Sequence, residues 1–192
     1  MVNKSLAPIA VQEPLLVERL RTGFPAQIFT IERVSSAMTK NEFNRWINNG
    51  CFLGLAWNGM KAGDTERRLT GDQRWSLFIV YRSTGSLEAR FKGDSRGLGM
   101  DAMVDVACAL IHGFSNTTGR CAVTAANAVV PEGFADDAVV VAQVDFTFSF
   151  ATDTAALDIE ASDDLAAIGV TWSLADAPEG APTQTDIINP GA

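Results

Sequence analysis

The clearest pattern in the chain is the strict alternation at residues 138–150. Val140, Ala142, Val144, Phe146, Phe148 and Phe150 fall on one side, and Gln143, Asp145, Thr147 and Ser149 on the other. Successive side chains of a strand point to opposite faces, so this reads as a strand with one dry and one wet face. The run RWSLFIVYRS at residues 74–83 is apolar on both faces in its middle, as expected of a central strand covered on both sides. Residues 27–34 alternate with β-branched positions and predict a short strand. Residues 51–57, bounded by glycines, predict a buried one, and residues 121–130 another.

Helical spacing appears in two long segments. Val11, Leu15, Leu16 and Leu20 repeat at three- and four-residue intervals within residues 9–22, with charges between them. Pro14 either sits in the first turn of that helix or kinks it. Residues 97–114 carry the stripe Ala102, Met103, Val106, Ala107, Leu110 and Phe114, with Gly113 placed for a C-terminal stop. Thr39-Lys40-Asn41-Glu42 has the Thr-x-x-Glu form of a capping box, predicting a short helix through Phe43, Trp46 and Ile47. Residues 58–73 read as a long polar connection and residues 132–137 as a turn. The order predicts an α+β fold: a mixed, mainly antiparallel sheet packed by the first and last helices.

Residues 151–192 break from this pattern. They are rich in Ala, Asp, Thr and Pro, yet Leu157, Ile159, Leu165, Ile168, Val170, Trp172 and Leu174 are spaced through them. The expected organisation is an α+β domain over 1–150 and an acidic C-terminal extension over 151–192. Apolar residues on an extended segment need a partner surface. Two readings stand: an edge strand folded back on its own domain, or an arm on a neighbouring subunit.

Charge sharpens the division. The chain of 192 residues has a net charge of −8. Residues 1–120 hold all 15 Lys and Arg with 11 Asp and Glu, a net of +4, and residues 121–192 hold 12 acidic residues and no basic one. With 47% apolar residues, 11 Phe and 4 Trp, the chain is not a wholly disordered one. Its sign argues against a simple cationic nucleic-acid binder. Arg67, Arg68, Arg74, Arg82, Arg90, Lys92 and Arg96 are interleaved with Trp75, Phe78, Tyr81 and Phe91. Five acidic residues share the stretch, and Trp75 and Phe78 read as core.

Candidate chemistry is sparse. Cys51, Cys108 and Cys121 form no C-x-x-C pair and suggest reduced, mostly buried thiols in a cytoplasmic setting. Neither a signal peptide nor a membrane span is expected from the apolar runs. His112 is the single histidine. Asp101, Asp105, Cys108 and His112 share one face of the predicted helix, which suits either a metal or Cys–His site or an ordinary half-exposed polar face. The glycine-rich stretch at residues 93–99 lacks the Gly-Lys-Ser/Thr ending of a phosphate loop and contains Asp94. No catalytic residue, metal or cofactor is expected.

The layout resembles that of the tail terminator, or tail completion, proteins of Mu-like phages and prophages. The matching pieces are LLVERLRTGFPA, RWSLFIVYRS, RGLGMDAMVDVACALIHGF, VAQVDFTFSF and an acidic extension ending near VTWSLADAPEG, spread over most of residues 10–180. The resemblance implies a non-enzymatic virion structural protein, assembled in the host cytoplasm. It implies a ring, a hexamer in that family, at the head-proximal end of the tail. The ring caps the tail tube and joins it to neck or head-completion proteins, with no specific nucleic-acid or membrane binding. Another neck connector, or a tail-tube or baseplate subunit, is the alternative within the virion; a cytoplasmic enzyme using the Asp101/Asp105/Cys108/His112 face is a remote one.

Ring closure needs one patch to meet a different patch on the next subunit. The acidic extension, with Asp153, Asp158, Glu160, Asp163 and Asp164, is therefore expected near basic residues of a neighbour. Arg67, Arg68, Arg90, Lys92 and Arg96 are the candidates, and Leu165, Ile168 and Trp172 the apolar anchors. Equally, the basic residues are ordinary solvated loop positions.

Overall fold

The computed structural model describes residues 8–36, 39–48, 50–65, 68–95, 97–129, 138–152, 168–172 and 184–188. The chain runs α1 (Pro8–Arg21), β1 (Phe29–Val34), α2 (Lys40–Asn48), β2 (Cys51–Ala62), β3 (Thr70–Arg82), α3 (Leu87–Lys92), β4 (Gly93–Asp94), β5 (Gly97–Leu98), α4 (Met100–Ile111), β6 (Gly119–Val129), β7 (Val139–Ala151), β8 (Ile168–Trp172) and β9 (Gln184–Ile188). Five strands form one sheet in the order β1-β2-β3-β7-β6. β1 is parallel to β2 and the other three pairs are antiparallel. This is the mixed, mainly antiparallel α+β fold that the patterning predicts.

The sheet is dry on one face and half dry on the other. On the first face Leu16 and Leu20 of α1 and Met100, Met103, Ala107 and Ile111 of α4 pack on Leu53, Trp75, Leu77, Val144, Phe146 and Phe148. On the second, α2 places Phe43, Trp46 and Ile47 over Phe52, Phe78, Val80 and Val141. The alternation of β7 decides its sides: the even-numbered apolar residues 140–150 all enter the first core, while Val139 and Val141 reach the second. The capping box forms, with Thr39 N donating to Glu42 Oε2 at 3.0 Å and Glu42 N to Thr39 Oγ1 at 3.3 Å. The Thr39 amide, and then the Thr39 hydroxyl, both donating to Glu42 Oε2, hold that carboxyl below its usual range.

Several boundaries differ from expectation. Residues 58–62 and 70–73 are not a polar connection. They extend β2 and β3 beyond a bulge between Trp57 and Gly59, leaving a loop closed by Gly63 N donating to Thr70 O at 2.7 Å. Backbone pairing needs no apolar side chains, so a ladder that outruns the core carries no hydrophobic signature. β1 starts at Phe29 rather than Gln27, because Ile28 N and Phe29 N both bond to Pro25 O in a preceding turn. α4 is shorter than the apolar stripe, since residues 97–98 form β5 and the chain turns at Gly113 with φ of 77°. α3 was not expected; Ser86 caps it by accepting from Ala89 N. α1 begins at Pro8 and contains Pro14 in its interior, where the imide lacks the N–H for the Ala10 carbonyl. The expected turn at 132–137 lies outside the described residues.

A polar clamp joins α1 to the turn between α4 and β6. Buried Gln12 donates to Cys121 Sγ at 3.3 Å and accepts from Asn116 Nδ2 at 2.7 Å, and Asn116 in turn accepts from the amides of Thr118 and Gly119. Burial pushes the Cys121 thiol up to about 12, against the opposing hydrogen bond from Gln12. A thiol raised in the folded state keeps its proton while the unfolded chain loses it. Stability is thus unaffected below the unfolded value near 9 and falls as pH rises from there to about 12. The expected slope for this thiol is at most about 1.4 kcal/mol per pH unit. Urea titrations at pH 8 and 10.5 should show that drop in wild type and a smaller one in Cys121→Ala; equal slopes would refute it.

Beyond β7 the chain leaves the sheet at Thr152. Its amide and hydroxyl both donate to the Leu69 carbonyl, at 2.9 and 3.0 Å. Further on, β8 pairs antiparallel with β9, from Ile168↔Ile188 to Trp172↔Gln184. Among the described residues this strand therefore joins another part of the extension rather than the edge of the five-stranded sheet.

Candidate interaction surfaces

The helix face that carried the sharpest chemical suggestion does not assemble into a site. Asp101 and Asp105 are exposed and Cys108 is half-buried. His112 ends α4, and its Nδ1 accepts the Val123 amide at 3.2 Å. Among the described residues no cluster of three or more His, Cys, Asp or Glu could hold a metal ion. Burial, and then Asp105, raise the Cys108 thiol, which disfavours the thiolate a nucleophile needs. The imidazole instead caps a strand amide. Replacing Cys108 by Ser and His112 by Ala together should lower the melting temperature by a few degrees at most; lost function in a normally folded double variant would restore the enzyme reading.

The glycine-rich stretch turns chain rather than cradling an anion. β4 and β5 pair antiparallel, and a Cβ on Gly99 would lie 2.1 Å from the Phe91 carbonyl oxygen. Gly93 has φ of 83° in the same turn. Gly93 and Gly99 are there because backbone meets backbone, whereas a Cβ on Gly97 would meet nothing.

The basic interface candidates fall at two ends of the sheet. Arg68 is exposed in the loop between β2 and β3, beside the Leu69 carbonyl that anchors Thr152. Arg90 and Lys92 lie on α3, beyond the opposite end of β3. Arg90 Nε donates to Gly85 O at 3.0 Å, and Lys92 pairs with Glu88 at 2.9 Å. They do not make one patch. Arg67, Arg96, Asp153, Asp158, Glu160, Asp163, Asp164 and Leu165 lie outside the described residues, and Ile168 and Trp172 are placed only as backbone of β8. Of the aromatics interleaved with the arginines, Trp75 and Phe78 are core and Tyr81 and Phe91 half-buried against it.

Two surfaces escaped the sequence reading. The first is the half of the second sheet face that α2 leaves bare, a shallow concavity of about 510 Å³. Its floor is hydrogen-bonded: Asn58 Nδ2 donates to Ser76 Oγ at 2.6 Å, and Ser76 Oγ and Gln143 Nε2 donate to Asp145 Oδ1 at 2.5 and 2.8 Å. The wet side of β7 announced Gln143 and Asp145; their partners on β2 and β3 needed the register. The second is the outer edge of β6. Its first part is taken by the turn after α4, through Gly113 N to Cys121 O, Cys121 N to Phe114 O, and the His112 contact. A bulge between Val123 and Ala125 follows. Past it, no described strand pairs with the outer side of residues 125–129. Between this segment and α4 runs a groove of about 280 Å³ floored by Phe91, Met100, Val104, Ala126 and Ala128, with Asp101 and Asp105 on its rim.

Among the described residues no helix is long and apolar enough to cross a membrane. The chain matches no known protein-family model, and no curated protein matches it.

Proposed function

We propose that the protein is a phage virion structural subunit, a tail terminator that forms a ring on the tail tube and joins it to the neck or head-completion proteins. The role is one of interface, without catalysis. The observation that carries the reading is that one sheet ends in two unlike edges, β1 and the far part of β6, with no further strand on either among the described residues. Two different complementary patches on one subunit suit head-to-tail contacts that close into a ring. The acidic extension supports it as a second contact. It leaves the sheet at Thr152 beside Leu69, and residues 153–192 hold eight acidic residues and no basic one.

The test is reconstitution. The purified protein added to tail-tube subunits should stop tube growth at a defined length, with one ring at one end in negative-stain images. Labelled protein found along the tube or at the distal tip would instead make it a tube or baseplate subunit. Free rings that leave tube length unchanged would refute termination.

A further inference from the structure

The two open edges match each other in height, direction and chemistry. β1 runs parallel to β2, and the three antiparallel steps that follow leave β6 opposite in sense to β1. A second copy that sets its β1 antiparallel against β6 therefore keeps its own strands, and its own two faces, in the same sense as the first. The register places the edges on the same rows. Val34 is level with Ala56, Ser76, Asp145 and Ala125, and Ile31 with Leu53, Ile79, Ala142 and Ala128. Residues 30–34 of β1 thus stand level with residues 125–129, the part of β6 that the bulge leaves open.

Side chains at this height are complementary. Ile28, 61% exposed and one residue before β1, extends this edge as a large aliphatic side chain left in water. An exposed aliphatic side chain at one edge and an apolar groove beside the other offer apolar area for a junction to bury. Arg21, at the end of α1, donates to the Phe29 carbonyl at 2.6 Å, which fixes its guanidinium at the start of β1. α1 and α4 pack on the same sheet face, so the neighbour's Arg21 comes to the side of the junction where Asp101 and Asp105 stand exposed. Pairing β6 with a second β6 would instead bring two sets of these carboxylates together on one face. The acidic extension of another copy would meet the same repulsion.

We infer that copies of this chain join edge to edge, β6 of one against β1 of the next, with residues 30–34 beside residues 125–129 and Arg21 on the side of Asp101 and Asp105. This names the contact within the ring reading and rests on it.

The test uses the full chain and two exposed-site variants, Ile28→Asp and the double variant Asp101→Lys with Asp105→Lys, followed by native mass spectrometry and sedimentation. Wild type should form a closed oligomer. Each variant alone should need at least ten-fold more protein to assemble, with a melting temperature within a few degrees of wild type. The first variant keeps a sound β6 edge and the second a sound β1 edge, so an equal mixture should give one-to-one heterodimers and nothing larger. Rings from both variants at wild-type concentrations would overturn this contact and leave the ring reading standing. A wild-type assembly that stops at a symmetric dimer would overturn the head-to-tail junction. A wild type that stays monomeric would overturn both.

Discussion

Replacing Trp46 by alanine should destabilise the protein by about 3–5 kcal/mol, the usual range for removing a large buried aromatic. Trp46 is 1% exposed and sits at the centre of the smaller core. Its ring stacks on Phe52 at 5.0 Å and on Phe78 at 6.3 Å, and meets Phe43 edge-on at 6.5 Å. Among the described residues α2 is the helix on that side of the sheet, and it is held there by three buried side chains, Phe43, Trp46 and Ile47. Losing the middle one leaves a void that the paired strands beneath cannot collapse to fill. The indole N–H has no hydrogen-bond partner in this core, so it contributes a cost rather than a bond. Trp46→Phe gives up some area but removes that cost, and should lie within about 1.5 kcal/mol of wild type. Urea midpoints for the two variants check both figures. A Trp46→Ala protein within 1 kcal/mol of wild type would mean that α2 is not seated as described.

What was legible in the chain followed from burial. β7 and the middle of β3 announced themselves because their apolar residues repeat every second position against a continuous core. α1, α2 and α4 did so through stripes or a cap whose partners lie within four residues. The missed elements have no such signature. The outer ends of β2 and β3 carry Lys61, Asp72 and Arg74 in solvent, and only the facing strand makes them strand. α3 is six residues long with no buried side chain, so its stripe is too short to read. The same logic governs the surfaces. Asp101 and Asp105 stood out in the sequence for the wrong reason, as possible ligands beside Cys108 and His112. Their place on the rim of a groove depends on β6 passing alongside α4, a contact between distant segments. Likewise the basic residues looked like one cluster because they are close in sequence, whereas the thirteen-residue β3 carries Arg68 and Arg90 to opposite ends of the sheet.

Cutting the chain after Thr152 should separate folding from assembly. The remaining chain keeps all 15 basic and 15 of the 23 acidic residues, so its net charge goes from −8 to zero. Its fold should survive, with a melting temperature within a few degrees of the full chain. Thr152 and its two bonds to Leu69 are retained, and β8 is paired within the deleted part by β9. Assembly should weaken. An arm tethered to each subunit adds a second contact at high effective concentration, so its loss should raise the protein concentration needed for rings by ten-fold or more. The dependence on salt should change as well, because eight carboxylates leave with the arm and charge attraction over more than about 10 Å is screened at 0.1 M salt. Sedimentation of both forms at 50 and 500 mM salt reads the two effects together. The full chain should assemble less readily at high salt and the truncated chain about equally at both. Equal assembly of the two forms at both salts would show that the acidic extension does not hold subunits together, and would leave the junction between β6 and β1 as the proposed contact between copies.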